Sequence, residues 1–236
     1  MNRNVSVIIP FYDYFEMVMT RLAEIYSYKS SKDIEVIVVD DGSKSSKTAN
    51  LLGAAQRLYP SFRLARRKDN RGFSAAHNFG ASLATGNVLC FLSSDVEVRA
   101  PFWELECWPG DIEHSIYGGR LLANSTGWNN FSLYGNEITF PYLEGWFIGC
   151  TRHNFELCGW WDEQFSPFDY EDIDLSTSAV EKGLALRVLP PEWFSHQLGG
   201  TISKKYPTER QAITERNRTA FFRKWILSGR YKELSK

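Results

Sequence analysis

No stretch of this 236-residue chain approaches 18 consecutive apolar residues, the length a helix needs to cross a bilayer. The N-terminus runs directly into a strand pattern at Val5–Pro10, so neither a transmembrane helix nor a secretory signal is expected. Cysteine is scarce. The four present (Cys90, Cys107, Cys150, Cys158) show no close paired spacing, which speaks against a zinc centre and fits a reducing, cytoplasmic setting. Cys90 falls in an apolar strand pattern, where a thiol acts as a small buried hydrophobe. Internal repeats and low-complexity segments are absent. The formal net charge is only −1, but it is unevenly spread. Residues 204–236 hold ten Lys/Arg (Lys204, Lys205, Arg210, Arg216, Arg218, Arg223, Lys224, Arg230, Lys232, Lys236) against three Glu, a net of +7, which leaves −8 for the rest. Such asymmetry marks either a solvated helix face or contact with an anionic partner, whether the inner face of a membrane or nucleic acid.

Core material is plentiful. Hydrophobic residues make up 43% and aromatics 15%, enough to rule out disorder for most of the chain. The chain is organised around Val36–Ser43, VIVVDDGS. Four uninterrupted apolar residues, mostly β-branched, bounded by turn formers are the pattern of a strand buried on both faces of a parallel sheet. In open α/β sheets ligands gather at the carboxyl ends of such strands. Asp40 and Asp41 stand at that end, and Gly42 lets the backbone turn sharply. A plain acidic loop with a helix cap is the competing reading of these residues alone.

The flanking segments extend the pattern. Val5–Pro10 is a second buried strand, and Glu16–Tyr28 has helical spacing of Val18, Leu22 and Ile25. The opening therefore reads β-α-β, with parallel strands and a right-handed crossover. Ser46–Tyr59 is predicted as a helix, Phe62–Ala65 as a short strand, Ser74–Thr85 as a helix stopped by Gly86, and Val88–Leu92 as a fourth apolar strand ending in Ser93-Ser94-Asp95. Trp, Tyr, Gly and Asn dominate residues 101–170, which read as mixed sheet and loops with few helix signals. Leu175–Gly183 is helix-like, Leu186–Leu189 strand-like, and 208–228 a helix.

Taken in order, five segments resemble an inverting family 2 glycosyltransferase with the GT-A fold: VSVIIPFY, VIVVDDGS, NRGFSAAHNFGASLATG, FLSSDVEV, and GWWDEQFSPFDYEDIDLSTSAVEKG followed by SHQLGGT. The resemblance spans about residues 4–200. Within the family, NRGFSAAHNFG and YEDIDL look most like the rhamnosyltransferase-like branch. It implies an α/β architecture with a Rossmann-like, mostly parallel central sheet flanked by helices and a mixed acceptor-side subregion. The chain is then one domain: a nucleotide-sugar-binding half to about residue 100, an acceptor half to about 205, and a basic C-terminal helix.

The resemblance also implies roles. Pro10 and Tyr12 flank the base of a nucleotide sugar, UDP- or dTDP-linked; Asp41 accepts from a base N–H, and Asp40 lies beside it. A carboxylate there discriminates, because an analogue lacking the donor leaves a buried charge unpaired. Arg71, Gly72 and Asn78, at the start of a helix, suit phosphate or sugar hydroxyls. Ser94 joins this set. His77 stands where the family often carries Arg and reads as a packed or surface histidine rather than a catalytic one. Asp95 is the metal residue of a motif that is usually Asp-x-Asp, here with Ser93 in the first place. His196 matches a position that completes such a site, for Mn²⁺ or Mg²⁺. Asp172 takes the role of general base, with Glu171 beside it. Trp146, Trp160 and Trp161 belong to the half that builds the acceptor site for a glycan or lipid-linked saccharide. Several of these have bland readings too: Tyr12 and the tryptophans as core, His196 as a cap or core residue, and the YEDIDL acids as helix caps.

Two other functions compete. A sugar-nucleotide nucleotidyltransferase favours a Gly-rich basic loop after the first strand, and Phe11–Glu16 has none. A nucleotide-sugar-binding module with lost or weak catalysis accounts for Ser93, but retention of Asp172 speaks against it.

Overall fold

The apolar runs of β1, β2 and β4 (Val5–Phe11, Glu35–Asp40 and Val88–Leu92) become strands because each is buried on both faces. The computed structural model describes residues 4–28, 34–59, 62–196 and 206–235. Its first half is β1 (Val5–Phe11), α1 (Phe15–Ser27), β2 (Glu35–Asp40), α2 (Ser46–Leu58), β3 (Phe62–Arg66), α3 (Phe73–Leu83) and β4 (Val88–Leu92). Ile8, Ile37 and Phe91 face one side of the sheet, while Val7, Ile9, Val36, Val38 and Cys90 face the other. Alternation without a polar face is what a doubly covered sheet requires. Helix α1 covers one face with Phe15, Val18, Leu22 and Ile25, and α3 covers the other with Ala76 and Ala81. Each large side chain so buried contributes about 1.5–3 kcal/mol.

The second half is made of shorter pieces: β5 (Val96–Val98), β6 (Ser115–Gly118), β7 (Leu121–Leu122), β8 (Asn130–Leu133), β9 (Asn136–Thr139), β10 (Tyr142–Leu143), β11 (Phe147–Thr151), α4 (Arg152–Cys158), α5 (Glu171–Glu181), β12 (Ala185–Val188), β13 (Phe194–His196) and α6 (Arg210–Phe221). The main sheet has seven strands in the order β12-β6-β11-β4-β1-β2-β3. Every neighbouring pair in it is parallel except those made by β11, which runs antiparallel to both β4 and β6. The expected α/β architecture with a mostly parallel sheet and a mixed second half is therefore what the chain adopts. Helix α4 was not foreseen. It is seven residues long, capped by the Thr151 hydroxyl accepting from the Asn154 N–H, and ended by Gly159 at φ +88°. The predicted helix at 208–228 is shorter: α6 passes into a π-helical turn, Phe222–Leu227.

Off the sheet, Phe131, Phe140, Phe165, Tyr170, Phe221 and Trp225 form a separate aromatic cluster that joins the β8–β9 hairpin to the C-terminal helix. Four cations of the basic segment, Arg216, Arg218, Lys224 and Arg230, make contacts within the fold around this cluster. Arg216 donates to the Ser166 carbonyl. Arg218 donates to the Gly127 and Trp128 carbonyls, both at 3.0 Å, and lies over the Phe131 ring at 4.2 Å. Lys224 reaches Asp162 and Asp174, each at 2.8 Å, and Arg230 pairs with Glu181 at 2.6 Å. Lys204, Lys205 and Lys236 lie outside the described residues. Among those described, no helix is long and apolar enough to cross a membrane.

Candidate functional site

The chain moves outward from β1 to β2 and β3, then returns to place β4 on the other side of β1. That reversal creates a topological switch point, where a crevice opens beyond the carboxyl ends of the strands. The cleft found there is lined by Pro10, Phe11 and Tyr12 at the end of β1, Asp41 after β2, Ser93, Ser94 and Asp95 after β4, and Gly72 and Phe73 at the start of α3. Pro167, Phe168 and Tyr206 close its far side. Of the residues singled out from the sequence, Pro10, Tyr12, Asp41, Gly72, Ser94 and Asp95 are thus brought together.

Two loops pack closely to make this mouth. Gly42, at φ +77°, leaves no room for a side chain: a Cβ there would sit 2.7 Å from the backbone of Asp69. Gly72, at φ +88°, abuts Pro167 in the same way, at 2.5 Å. Asp41 links the loops: its Oδ2 accepts from the backbone N–H groups of Arg71 (3.1 Å) and Gly72 (2.9 Å), and its Oδ1 lies 3.1 Å from Arg67 Nε. The Asp13 N–H donates to the Ser43 hydroxyl at 2.8 Å, and the Asp13 carboxylate accepts from the N–H groups of Lys44 and Ser45. Asp13 is a scaffold residue that the sequence did not flag.

Asp40 departs from its expected place. Its side chain is completely buried, accepting from the Ser43 N–H at 2.8 Å and facing Arg66 Nε at 3.2 Å. Adjacent residues at a strand end point to opposite sides, so Asp41 takes the cleft and Asp40 braces the turn. Asn78 is also corrected. Its amide donates to the Trp161 carbonyl (2.8 Å) and accepts from the Trp161 N–H (3.2 Å), a structural clamp away from the cleft. Arg71 points outward and pairs with Glu163 at 3.1 Å; only its backbone serves the site. Of the two readings open for His77, packed or surface, the structure takes the packed one. It is fully buried between Phe73, Phe91 and Trp161, and burial depresses the imidazole to about 3.

Asp95 and His196 meet across the antiparallel pair β5–β13, where His196 lies opposite Val96. Asp95 Oδ2 and His196 Nε2 are 3.8 Å apart. Trp146 stacks on the imidazole, with centroids 5.4 Å apart and planes 25° off parallel, while its own N–H donates to Glu144 at 2.9 Å. No group of three His, Cys, Asp or Glu side chains converges among the described residues. A carboxylate and an imidazole this close, at the edge of an open cleft, fit a divalent cation whose other ligands come from substrate oxygens and water.

Asp172 is the second residue of helix α5 and is not among the residues lining the cleft, to which it is joined through Gly145. Its Oδ2 accepts from the Gly145 N–H at 3.0 Å and its Oδ1 from the Ile173 N–H at 2.8 Å. Gly145 also lies against the Phe73 ring, and Trp146, next in the chain, accepts from the Ser93 N–H at 2.9 Å. Burial raises the Asp172 carboxyl to about 7, against the opposing pull of those two N–H groups. Glu171 does not accompany it. Successive helical residues point about 100° apart, and the Glu171 side chain turns inward. It is 7% exposed, with Oε2 lacking a hydrogen-bond partner. Burial, and then the charges of Asp172 and Asp169, push its carboxyl far above the usual range. The structure therefore places the Glu171 side chain in the interior and not beside the Asp172 carboxylate's backbone partners.

The tryptophans divide. Trp161 is a core residue, 1% exposed and edge-on to Phe73 and Phe91. Trp160 packs on Phe155 and borders a separate polar groove with Asp162, Lys182 and Arg230. Trp146 alone stays near the cleft. Phe168 and Tyr206 were missed, because they become neighbours of β1 only through the fold.

The fold is that of the GT-A glycosyltransferases. A mannosyltransferase, PcManGT from Pyrobaculum calidifontis, solved with GDP-Man and Mn²⁺, superposes with a TM-score of 0.70 at 16% identity, over 94% of this chain and 65% of that one. GalNAc-T7, solved with UDP, GalNAc and Mn²⁺, gives 0.62 at 16% identity, over 80% and 43%. Residues 6–109 match the profile of "Glycosyl transferase family 2". The chain is 24% identical over 266 aligned positions to polypeptide N-acetylgalactosaminyltransferase 3 of Taeniopygia guttata, covering 97% of this chain and 43% of that protein. It is 33% identical over 98 positions to human polypeptide N-acetylgalactosaminyltransferase 10, covering 41% and 16%. The chain thus spans less than half the length of these curated relatives.

Proposed function

We propose that this chain is an inverting glycosyltransferase of family 2, moving a sugar from a nucleoside diphosphate to a hydroxyl of a glycan, lipid-linked saccharide or similar acceptor. The observation that carries the reading is Asp172: a carboxyl raised toward neutrality by burial, fixed by two backbone N–H groups, and joined through Gly145 to Phe73, which lines the switch-point cleft that holds Asp41 and Asp95. A base poised near the working pH is what attack by an alcohol calls for.

In this mechanism Asp172 takes the proton of the acceptor hydroxyl as its oxygen bonds to the anomeric carbon. The bond to the diphosphate breaks on the opposite side, and its electron pair leaves on the phosphate oxygen. Asp95 and His196 would hold a divalent cation, which would supply positive charge to offset that of the leaving diphosphate. Pro10 and Tyr12 take the base, with Asp41 setting its identity. Trp146 is the remaining acceptor-side aromatic. The donor is proposed to be UDP- or dTDP-linked. UDP in the GalNAc-T7 structure and GDP-Man in the mannosyltransferase structure make all three nucleotides arms of the test. The rhamnosyltransferase-like assignment rests on the NRGFSAAHNFG and YEDIDL segments, whereas the curated relatives above are N-acetylgalactosaminyltransferases. A cytoplasmic setting is proposed from the free thiols, of which Cys90, Cys150 and Cys158 are buried.

A screen of UDP-, dTDP- and GDP-sugars with Mn²⁺, read by nucleotide release and by the anomeric configuration of the product, tests the reading. Turnover with an inverted product is expected. Binding without turnover for every donor and acceptor would favour a binding module, and a product of retained configuration would remove Asp172 as the base of a single displacement.

A further inference from the structure

The family-matched segment ends at residue 109, yet the cleft has a wall from far beyond it. Tyr206 lines the cleft from the stretch just before α6. Its ring packs on Phe168 with centroids 5.0 Å apart. Phe168, 3% exposed, is itself held in place. The side-chain amide of Asn217, fully buried on α6, donates to the carbonyls of Phe165 (2.6 Å), Phe168 (2.7 Å) and Asp169 (2.9 Å). The Thr214 hydroxyl on the same helix donates to the Asp169 carboxylate at 2.6 Å. The C-terminal helix thus fixes the 165–169 segment, and that segment seats Tyr206. The Tyr206 phenol is raised first by burial and then by Tyr12 and Asp41, so it lies within the electrostatic reach of the residues assigned to the base.

Resting on the donor site proposed above, we infer that Tyr206 is a second aromatic contact for the nucleobase, so that Tyr12 from β1 and Tyr206 from the C-terminal segment both bind it. Every base presents a π face, so such stacking is tolerant of sequence. Tyr206 accordingly sets how tightly any nucleoside diphosphate is held, while base identity is left to the hydrogen-bonding edge at Asp41. The basic C-terminal region then has a role in donor binding that its charge alone does not disclose.

The test is calorimetric titration of the full chain with UDP, dTDP and GDP in Mn²⁺, comparing wild type with Tyr206→Phe and Tyr206→Leu. Leucine keeps apolar packing against Phe168 but removes the π face. Tyr206→Leu is expected to weaken every nucleotide that wild type binds by a similar factor, about 10-fold or more, with an unchanged melting temperature. Tyr206→Phe is expected to bind as wild type does. Unchanged affinity in Tyr206→Leu overturns the inference, as does equal weakening in both variants, which would assign the effect to the hydroxyl. Weakening confined to one base overturns the claim of base tolerance. If wild type binds none of the three, the donor site itself falls, and this inference with it. Wild-type binding with an unaffected Tyr206→Leu variant refutes only the inference.

Discussion

The carboxylate of Asp172 accepts a 3.0 Å hydrogen bond from the backbone N–H of Gly145, and a Cβ placed on Gly145 would stand 3.1 Å from the Asp172 Cβ. The first contact orients the proposed base, and the second shows how little room separates the two residues. Burial raises this carboxyl to about 7, so its basic form grows in as pH climbs through that value. The logarithm of kcat/KM is expected to rise with unit slope below about 7 and to level above it. Stability should move the other way. The folded state binds the proton more tightly than the unfolded chain, so this group's contribution falls as pH rises from the ordinary carboxylate range to about 7. Asp172→Asn should lower transfer at least ~10²-fold and abolish the acid limb of the profile, with nucleotide affinity nearly intact. Normal turnover in that variant would remove the assignment.

Gly145→Ala tests the same relationship from the other side. The added methyl must displace the base by a few tenths of an ångström, because Asp172 Cβ and the Phe73 ring lie 3.1 and 3.5 Å from where it would sit. Misplacement of a reacting group by 1 Å costs up to about 10²-fold. A loss of about 10-fold in kcat is therefore expected, with the donor KM little changed. A defect confined to KM would show that Gly145 serves binding rather than the base.

For the metal pair, Asp95→Ala is expected to erase the difference in nucleotide-sugar affinity measured with and without Mn²⁺. Equal affinities in the wild type would refute the site. Ser93 lines the same cleft, so Ser93→Asp restores the second carboxylate of the usual motif. More anionic ligands raise affinity for a hard cation, and Mn²⁺ binding followed by electron paramagnetic resonance should tighten by about 10-fold.

The strands of the first half were legible because parallel strands covered on both faces leave an uninterrupted apolar signature, as in VIVVDDGS and VLCFL. Strands β6 to β11 were not, being two to five residues long with Gly and Asn mixed in. Helix α4 offered only Thr151 before it and Gly159 after it, a cap and a stop that could have located it. In the cleft, Asp41 and Gly72 lie where local sequence puts them, because the glycine turns at Gly42 and Gly72 fix the chain there. Asn78, Trp161 and Glu171 have ligand-binding side chains, but the fold uses them inward. Tyr206 and Phe168 reach the cleft only because Asn217 ties distant segments together. No local pattern encodes that.

The inward assignment of Asn78 makes its own prediction. Its amide satisfies both the N–H and the carbonyl of Trp161, and leaving such groups unpaired costs about 1–3 kcal/mol. Asn78→Ala should lose that much in denaturant unfolding while binding nucleotide as wild type does. A selective loss of nucleotide affinity at unchanged stability would return Asn78 to the donor site.

Lys224 is the clearest case of a cation serving the fold. It lies 2.8 Å from both Asp162 and Asp174; Asp174 is 2% exposed and also accepts from the Trp225 N–H at 2.7 Å. Burial raises the Asp174 carboxyl, and Lys224 opposes that rise. Methionine at 224 would fill the space but leave a buried carboxylate without its counter-charge, a change that costs about 3 kcal/mol when a buried pair loses one partner. Asp174 sits two residues from the proposed base on α5, so the loss bears on the helix that carries it. The penalty should be full near pH 8 and shrink on acidification, because a protonated Asp174 no longer needs the cation. Urea unfolding of Lys224→Met against wild type across that range reads the difference directly. A penalty independent of pH would mean that packing of the Lys224 stem, not its charge, holds the C-terminal helix to α5.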